Sequence, residues 1–231
     1  MIKITSNKFK NYRSFYDKNG YIVIRKFINK EKADNINDKL TEYLKKNSQK
    51  LKGRKINYVK NTKLVSSVHN LENIKEIKNF LIKKKLLKMS SFFLREKSKS
   101  FGAELFAKPA RYGKSVPIHQ DNYYWNINNT KGITIWISLN GSNKKNGALS
   151  YYKKSHKIGL LEHTNSFVPG SSQVLKYKKI LKYFKKVTPN LKKGDALLHN
   201  SMILHGSEEN KSNKPRLGLT LRYIPESSKI N

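Results

Sequence analysis

From Ser91 onward the chain is a succession of short β-prone runs divided by turn dipeptides, and no other feature restricts its fold as much. Phe92–Arg95, Phe101–Lys108, Val116–Tyr124, Gly132–Leu139, Ala148–Tyr152, Asp195–Asn200, Met202–His205 and Arg216–Ile224 are predicted strands. Lys108-Pro109, Tyr112-Gly113, Asn128-Asn129, Asn146-Gly147, Lys193-Gly194 and Lys214-Pro215 separate them. Many short strands with few helices between them imply a barrel or sandwich. Val174–Val187 reads as a helix or an irregular insert.

The first ninety residues have a different texture. Tyr21–Phe27 is rich in β-branched residues and follows an Asn19-Gly20 turn, so it reads as a strand. Asn29 is placed as an N-cap. In Glu31–Lys46 the spacing of Ala33, Ile36, Leu40, Tyr43 and Leu44 predicts a helix, and Leu71–Met89 reads as a second one. Asn47–Asn70 is polar and reads as a loop with short strands. The expectation is one domain over 1–231: an N-terminal strand and helical layer (1–90) packed on a β-core (91–224).

The chain has 231 residues and a formal charge of +34, which raises the question of a nucleic-acid partner. Only seven of the 49 basic residues are Arg, and the Lys are scattered along the chain. Nucleic-acid readers cluster Arg and aromatic side chains, so the charge is read as a solvated Lys surface. An anionic small substrate is the other partner that such a surface suits. The absence of Cys excludes disulfides, Cys-ligated metal and thiol nucleophiles. No run approaches a membrane span, and the N-terminal residues lack the apolar core of a secretory signal. A cytoplasmic location is the expectation.

The chemistry gathers around histidine. His119-Gln120-Asp121 puts two potential ligands at i and i+2, which on a strand share one face. With a His from another strand they would make a two-His, one-carboxylate face, the pattern of non-haem Fe(II) oxygenases. Downstream, a Gly194–His199 turn and strand leads to Ser201–Ser207, which contains His205. Arg216 follows eleven residues later and opens the last predicted strand. A guanidinium grips a carboxylate with two parallel charge-assisted bonds, which Lys cannot imitate.

These segments resemble the phytanoyl-CoA dioxygenase family of Fe(II)/2-oxoglutarate oxygenases. The resemblance is carried by Lys108–Trp125 (KPARYGKSVPIHQDNYYW), Trp136–His156, Gly194–Tyr223 and the N-terminal FYDKNGYIVIRKF. The usual Gly-Ser-His of the family reads Lys154-Ser155-His156 here. The resemblance implies a mainly β fold with flanking helices, a double-stranded β-helix (jelly-roll, cupin-like) core. It implies Fe(II) ligands His119, Asp121 and His205. It implies Arg216, helped by Ser207, as the clamp for the distal carboxylate of 2-oxoglutarate, with Trp136 and Gln120 lining the cosubstrate pocket. Cofactors would be Fe(II), 2-oxoglutarate and O2, and the expected reaction is hydroxylation of an aliphatic C–H in a small metabolite, with succinate and CO2 as coproducts. Related halogenases carry a small residue where Asp121 stands, which favours hydroxylation. Tyr123, Tyr124, Trp125, His156 and Lys108 are candidate substrate contacts, and Arg222 is a further side chain that would face the pocket. His199 is read as standing behind a ligand, and His69 and His163 as surface residues. The competing readings are a cupin-like metal-binding protein or isomerase, which needs no keto-acid clamp, and a basic nucleic-acid-binding protein.

Overall fold

The structure is a computed structural model, and it describes residues 7–47, 56–168 and 171–230. The N-terminal tip considered for a signal, and residues 48–55 of the expected polar loop, lie outside these. The order is α1 (Asn7–Asn19), β1 (Tyr21–Ile24), α2 (Lys30–Asn47), β2 (Ile56–Tyr58), β3 (Val65–Val68), α3 (Lys75–Leu81), α4 (Lys84–Leu94), β4 (Ser98–Lys108), β5 (Val116–His119) and α5 (Asp121–Trp125). There follow β6 (Ile133–Ser138), β7 (Leu149–Tyr152), β8 (His163–Val168), β9 (Ser171–Leu175), β10 (Lys186–Val187), β11 (Ala196–Asn200), β12 (His205–Ser207) and β13 (Arg216–Pro225).

Seven strands form one antiparallel sheet in the order β1-β11-β6-β13-β4-β3-β2. Four form a second antiparallel sheet, β10-β7-β12-β5, and β8–β9 is a separate hairpin. This is the jelly-roll core with helices on one side.

Alternation along the strands of the large sheet divides helices from cavity. On β13, Leu219, Leu221 and Tyr223 face the helices and join a core with Ala103 and Leu105 of β4, Ile133, Ile135 and Ile137 of β6, and Ala33, Ile36 and Leu40 of α2. Arg216, Thr220 and Arg222, two and four residues apart, turn the other way and line a cavity between the sheets. Period two explains both faces at once.

Several boundaries differ from the sequence reading. Phe92–Arg95 is the end of α4, because Leu86, Met89, Ser90, Phe93 and Leu94 bury one helical face. Arg95 closes that helix in the left-handed region (φ 62°). Leu71–Met89 splits into a 3-10 turn, α3 and part of α4, since Lys83 is extended (ψ 126°). Met202–His205 is mostly a buried turn, with the Met202 N–H donating to Asn200 Oδ1 (2.8 Å). Within 174–187 lie the end of β9, a 3-10 segment and β10. Helix α1 was not anticipated, although Phe9, Tyr12 and Tyr16 carry its spacing. Asn29 does cap α2, accepting from the Lys32 N–H (2.9 Å). Among the described residues no helix is long and apolar enough to cross a membrane.

Candidate metal centre and cavity

Strand β5 ends at His119, Gln120 continues extended, and Asp121 opens α5. The H-x-D pair therefore does not lie along one strand face, as expected from its spacing, but straddles a strand-to-helix bend. His205 opens β12 and sits in register with His119 across the β5–β12 ladder. The two rings are 4.3 Å apart. Asp121 Oδ1 lies 3.6 Å from Nε2 of each. One donor atom from each of the three residues falls within 4.8 Å of the others, a spacing one cation can bridge with bonds of about 2.0–2.2 Å.

The surrounding hydrogen bonds aim these atoms inward. His119 Nδ1–H donates to Pro117 O (2.8 Å) and His205 Nδ1–H to Ile203 O (3.0 Å), which leaves both Nε2 lone pairs free. Asp121 Oδ2 accepts from Thr134 Oγ1 (2.5 Å) and His199 Nε2 (3.0 Å), so Oδ1 is the oxygen presented. Tyr151 O–H, stacked on Tyr21, donates in turn to His199 Nδ1 (2.9 Å). Burial, reinforced by the neighbouring His119, pushes His205 down to about 3, so its imidazole is neutral. Burial disfavours the Asp121 anion, but the surrounding His205, His119 and His199 outweigh it and hold the carboxyl well below the usual range. Thr134→Val keeps the shape of the wall and removes one Oδ2 donor. It should weaken Fe(II) binding roughly 10- to 100-fold in an anaerobic competition titration, with β-structure intact.

A cavity of about 300 Å³ opens from this triad. At one end stands Arg216, 2% exposed. Burial pulls its guanidinium down to about 10, so it remains charged at neutral pH. Among the described residues no carboxylate pairs with it, and its Nε, Ser207 Oγ and Thr220 Oγ1 have no hydrogen-bond partner. Its guanidinium lies 5.1 Å from the centre of the Trp136 ring. That indole passes over Gly218, where a Cβ would come within 2.0 Å of it. Gly218→Ala should therefore displace Trp136 and cost about 1–3 kcal/mol of stability, measured by denaturant unfolding.

The other end holds a second charged group. His69 Nδ1–H donates to Glu104 Oε1 (2.6 Å), and Arg222 Nη2 contacts Glu104 Oε2. Burial disfavours the Glu104 anion, yet Arg222 and His69 overcome this and keep the carboxyl below its ordinary value. Tyr124 and Ser171 complete the wall. Tyr124 is tied to the β8–β9 hairpin, where its hydroxyl donates to Gln173 O (3.1 Å) and accepts from Gln173 N–H (3.0 Å).

The structure thus brings His119, Asp121, His205, Arg216, Ser207, Trp136, Tyr124 and Arg222 to one cavity. It places five other expected site residues elsewhere. Gln120 is fully buried and turned away, its amide donating to Gly159 O (2.8 Å) and Met202 O (2.7 Å). Trp125 packs with Ile127 and Ile224 in a separate cluster. Tyr123 stacks on His163 at 4.3 Å. His156 lies beside Gly20, its Nε2 3.1 Å from Asp17 O. Lys108, in register with Arg216, is buried behind it, and its Nζ donates to Lys114 O (2.6 Å) and Glu208 O. Burial beside Arg216 pulls this ammonium down to about 6. His163 is not a surface residue: it is buried and accepts from the N–H of Gln120, between His119 and Asp121 (3.0 Å). His69 and Glu104 were missed. The one signal for them was an acid at an inward position of a strand that also carries Lys108.

Comparison with known proteins agrees with this geometry. The phytanoyl-CoA dioxygenase (PhyH) sequence pattern matches residues 16–218. The peroxisomal phytanoyl-CoA dioxygenase of Bos taurus is 24% identical over 226 residues, covering 91% of this chain and 67% of that one. A phytanoyl-CoA dioxygenase domain-containing protein 1 homolog of Dictyostelium discoideum is 31% identical over 124 residues, covering 51% of this chain and 43% of its own. Among solved structures, EctD from S. alaskensis with 2-oxoglutarate and 5-hydroxyectoine superposes with a TM-score of 0.81 at 18% identity, over 98% of this chain and 78% of that one. The non-heme alpha ketoglutarate dependent carbocyclase SnoK gives 0.79 at 16% identity, over 96% and 86%. With the pattern spanning most of its length, the chain belongs to the phytanoyl-CoA dioxygenase family.

Proposed function

We propose that this protein is an Fe(II)- and 2-oxoglutarate-dependent dioxygenase that hydroxylates an aliphatic C–H bond of a small metabolite. The observation that carries the reading is the buried Arg216 guanidinium, unpaired among the described residues and sharing a cavity with His119, Asp121 and His205. A buried cation without a counter-ion is costly, and a bound carboxylate removes that cost. Both absent groups fit. Two neutral imidazoles and one carboxylate suit Fe(II) with positions left open, and Arg216 with Ser207 Oγ suits one end of a dicarboxylate.

When bound, Fe(II) and the keto acid supply the oxidant, and one atom of O2 goes to the substrate and the other to succinate as CO2 departs. His119, Asp121 and His205 would hold the metal, with Thr134 and His199 fixing the Asp121 carboxylate. Arg216 and Ser207 would hold the keto acid, and Trp136 backs the guanidinium. Solved structures of similar fold include a carbocyclase and an epimerase, so the fold alone does not fix the reaction class.

The test is an anaerobic titration of the metal-free protein with Fe(II) and then 2-oxoglutarate. A visible charge-transfer band supports the reading, and product mass then reports insertion of one oxygen. Fe(II) bound with no band on adding the keto acid would overturn it.

A further inference from the structure

We infer that the Glu104–Arg222 end of the cavity takes a zwitterionic amino-acid head group. The inference rests on the dioxygenase reading and names the substrate class of that same site. Glu104 and Arg222 project from the inward faces of β4 and β13, and Thr134, which holds Asp121, is in register with Arg222 on β6. The charged pair thus faces His119 and His205 from the opposite sheet, beside the Thr134 that donates to Asp121.

What matters is which atoms are still free. Glu104 Oε1 is taken by His69 Nδ1–H (2.6 Å), and His69 is fixed in turn because its Nε2 accepts from Asn57 Nδ2 (3.0 Å). Glu104 Oε2 is paired with Arg222 Nη2 and, as a carboxylate oxygen, keeps a second lone pair for a further donor, while Arg222 Nε–H donates to nothing. One buried acceptor and one buried donor therefore stand side by side at the cavity. Ser171, on the hairpin that closes this end, adds a hydroxyl to the same wall. Buried polar groups left this way are rare in a folded protein unless something binds them.

Charge decides between ligand classes. Glu104 and Arg222 cancel, so a lone anion would meet the Glu104 carboxylate and a lone cation the Arg222 guanidinium. The formal charge of +34 says nothing about this balanced spot. A ligand carrying both an ammonium and a carboxylate serves the free acceptor and the free donor together. A hydrocarbon chain would leave both unpaired. Size agrees. A cavity of about 300 Å³ equals about ten water molecules at about 30 Å³ each. Shared with a keto acid, it leaves room for a compact metabolite and none for an enclosed coenzyme A thioester.

The experiment uses anaerobic protein loaded with Fe(II) and 2-oxoglutarate, so that binding is read without turnover. The standard L-α-amino acids are screened by thermal shift and by perturbation of the visible band. The tightest binder is then compared with its N-acetyl and amide forms and with butyryl-CoA by calorimetry. The zwitterion should bind at least tenfold more tightly than any of the three. Glu104→Gln should abolish that preference and leave the band produced by 2-oxoglutarate unchanged. Equal binding of the N-acetyl form or of butyryl-CoA, or no amino acid binding at all, overturns the proposal. The comparison among ligands needs no variant, so a poorly folded Glu104→Gln does not spoil it. Absence of the band before any amino acid is added is failure of the dioxygenase reading instead.

Discussion

Asp121→Asn should abolish Fe(II) binding as completely as Asp121→Ala, although Asn has the shape of Asp. The reason lies in the partners of Oδ2. Thr134 Oγ1 and His199 Nε2 both donate to it, at 2.5 and 3.0 Å. An amide in this place would put its carbonyl oxygen toward those donors and its NH2 toward the metal position, where it offers no lone pair. The loss should exceed the roughly 100-fold that marks the upper range for residues behind the ligands. Circular dichroism should show the Asn variant folded. The Ala variant leaves both donors without an acceptor and should lose a further 1–3 kcal/mol or so of stability for that reason. Retention of Fe(II) affinity within tenfold in Asp121→Asn would remove Asp121 from the ligand set.

Arg216→Ala is expected to weaken 2-oxoglutarate binding by about 30-fold to several thousand-fold, the equivalent of about 2–5 kcal/mol for a buried charge pair. The same substitution should leave the metal-free protein no less stable, because without the keto acid the cavity carries an unpaired buried cation. Function and stability thus move in opposite directions at this position. Arg216→Lys should not restore binding. An ammonium cannot make two parallel bonds to a carboxylate or lie flat over Trp136. Anaerobic titration of the charge-transfer band in each variant measures the first effect, and urea unfolding the second. A variant that binds 2-oxoglutarate as well as the parent would place the keto acid elsewhere.

That His119, Asp121, His205 and Arg216 would share one cavity was legible because family spacing marks them: a triplet, a distal His and an Arg eleven residues on. A barrel or sandwich was legible because turn dipeptides punctuate the strands, and the family resemblance narrowed it to a jelly-roll. The aromatic residues were misread for one physical reason. Trp125 and Tyr123 follow the triplet closely, but α5 rotates the chain after Asp121, so Tyr124 faces the cavity while its two neighbours do not. Gln120 turns away for another reason: it continues β5 in extended form, so alternation points it opposite to His119. Glu104 and His69 could not be read as a pair. They are 35 residues apart, and only the pairing of β3 with β4 brings them together. Phe92 and Phe93 suggested a strand by residue type, whereas the 3.6-residue spacing of their neighbours is what the fold obeyed.

One strand, β13, carries Arg216 at its start and Arg222 six residues later. At about 3.3–3.4 Å per residue this separates the two Cα positions by about 20 Å, and hydrogen bonds to β4 and β6 on either side hold that length. The strand therefore works as a ruler. On the proposed reading, the carboxylate bound at Arg216 and the group bound at Arg222 would be set apart by a count of residues, not by a flexible loop. A new substrate length cannot be accommodated by stretching this element, and adding one residue would turn every inward side chain outward. Change in what this pocket accepts must come from side-chain exchange at fixed graduations, or from the β8–β9 hairpin across the opening.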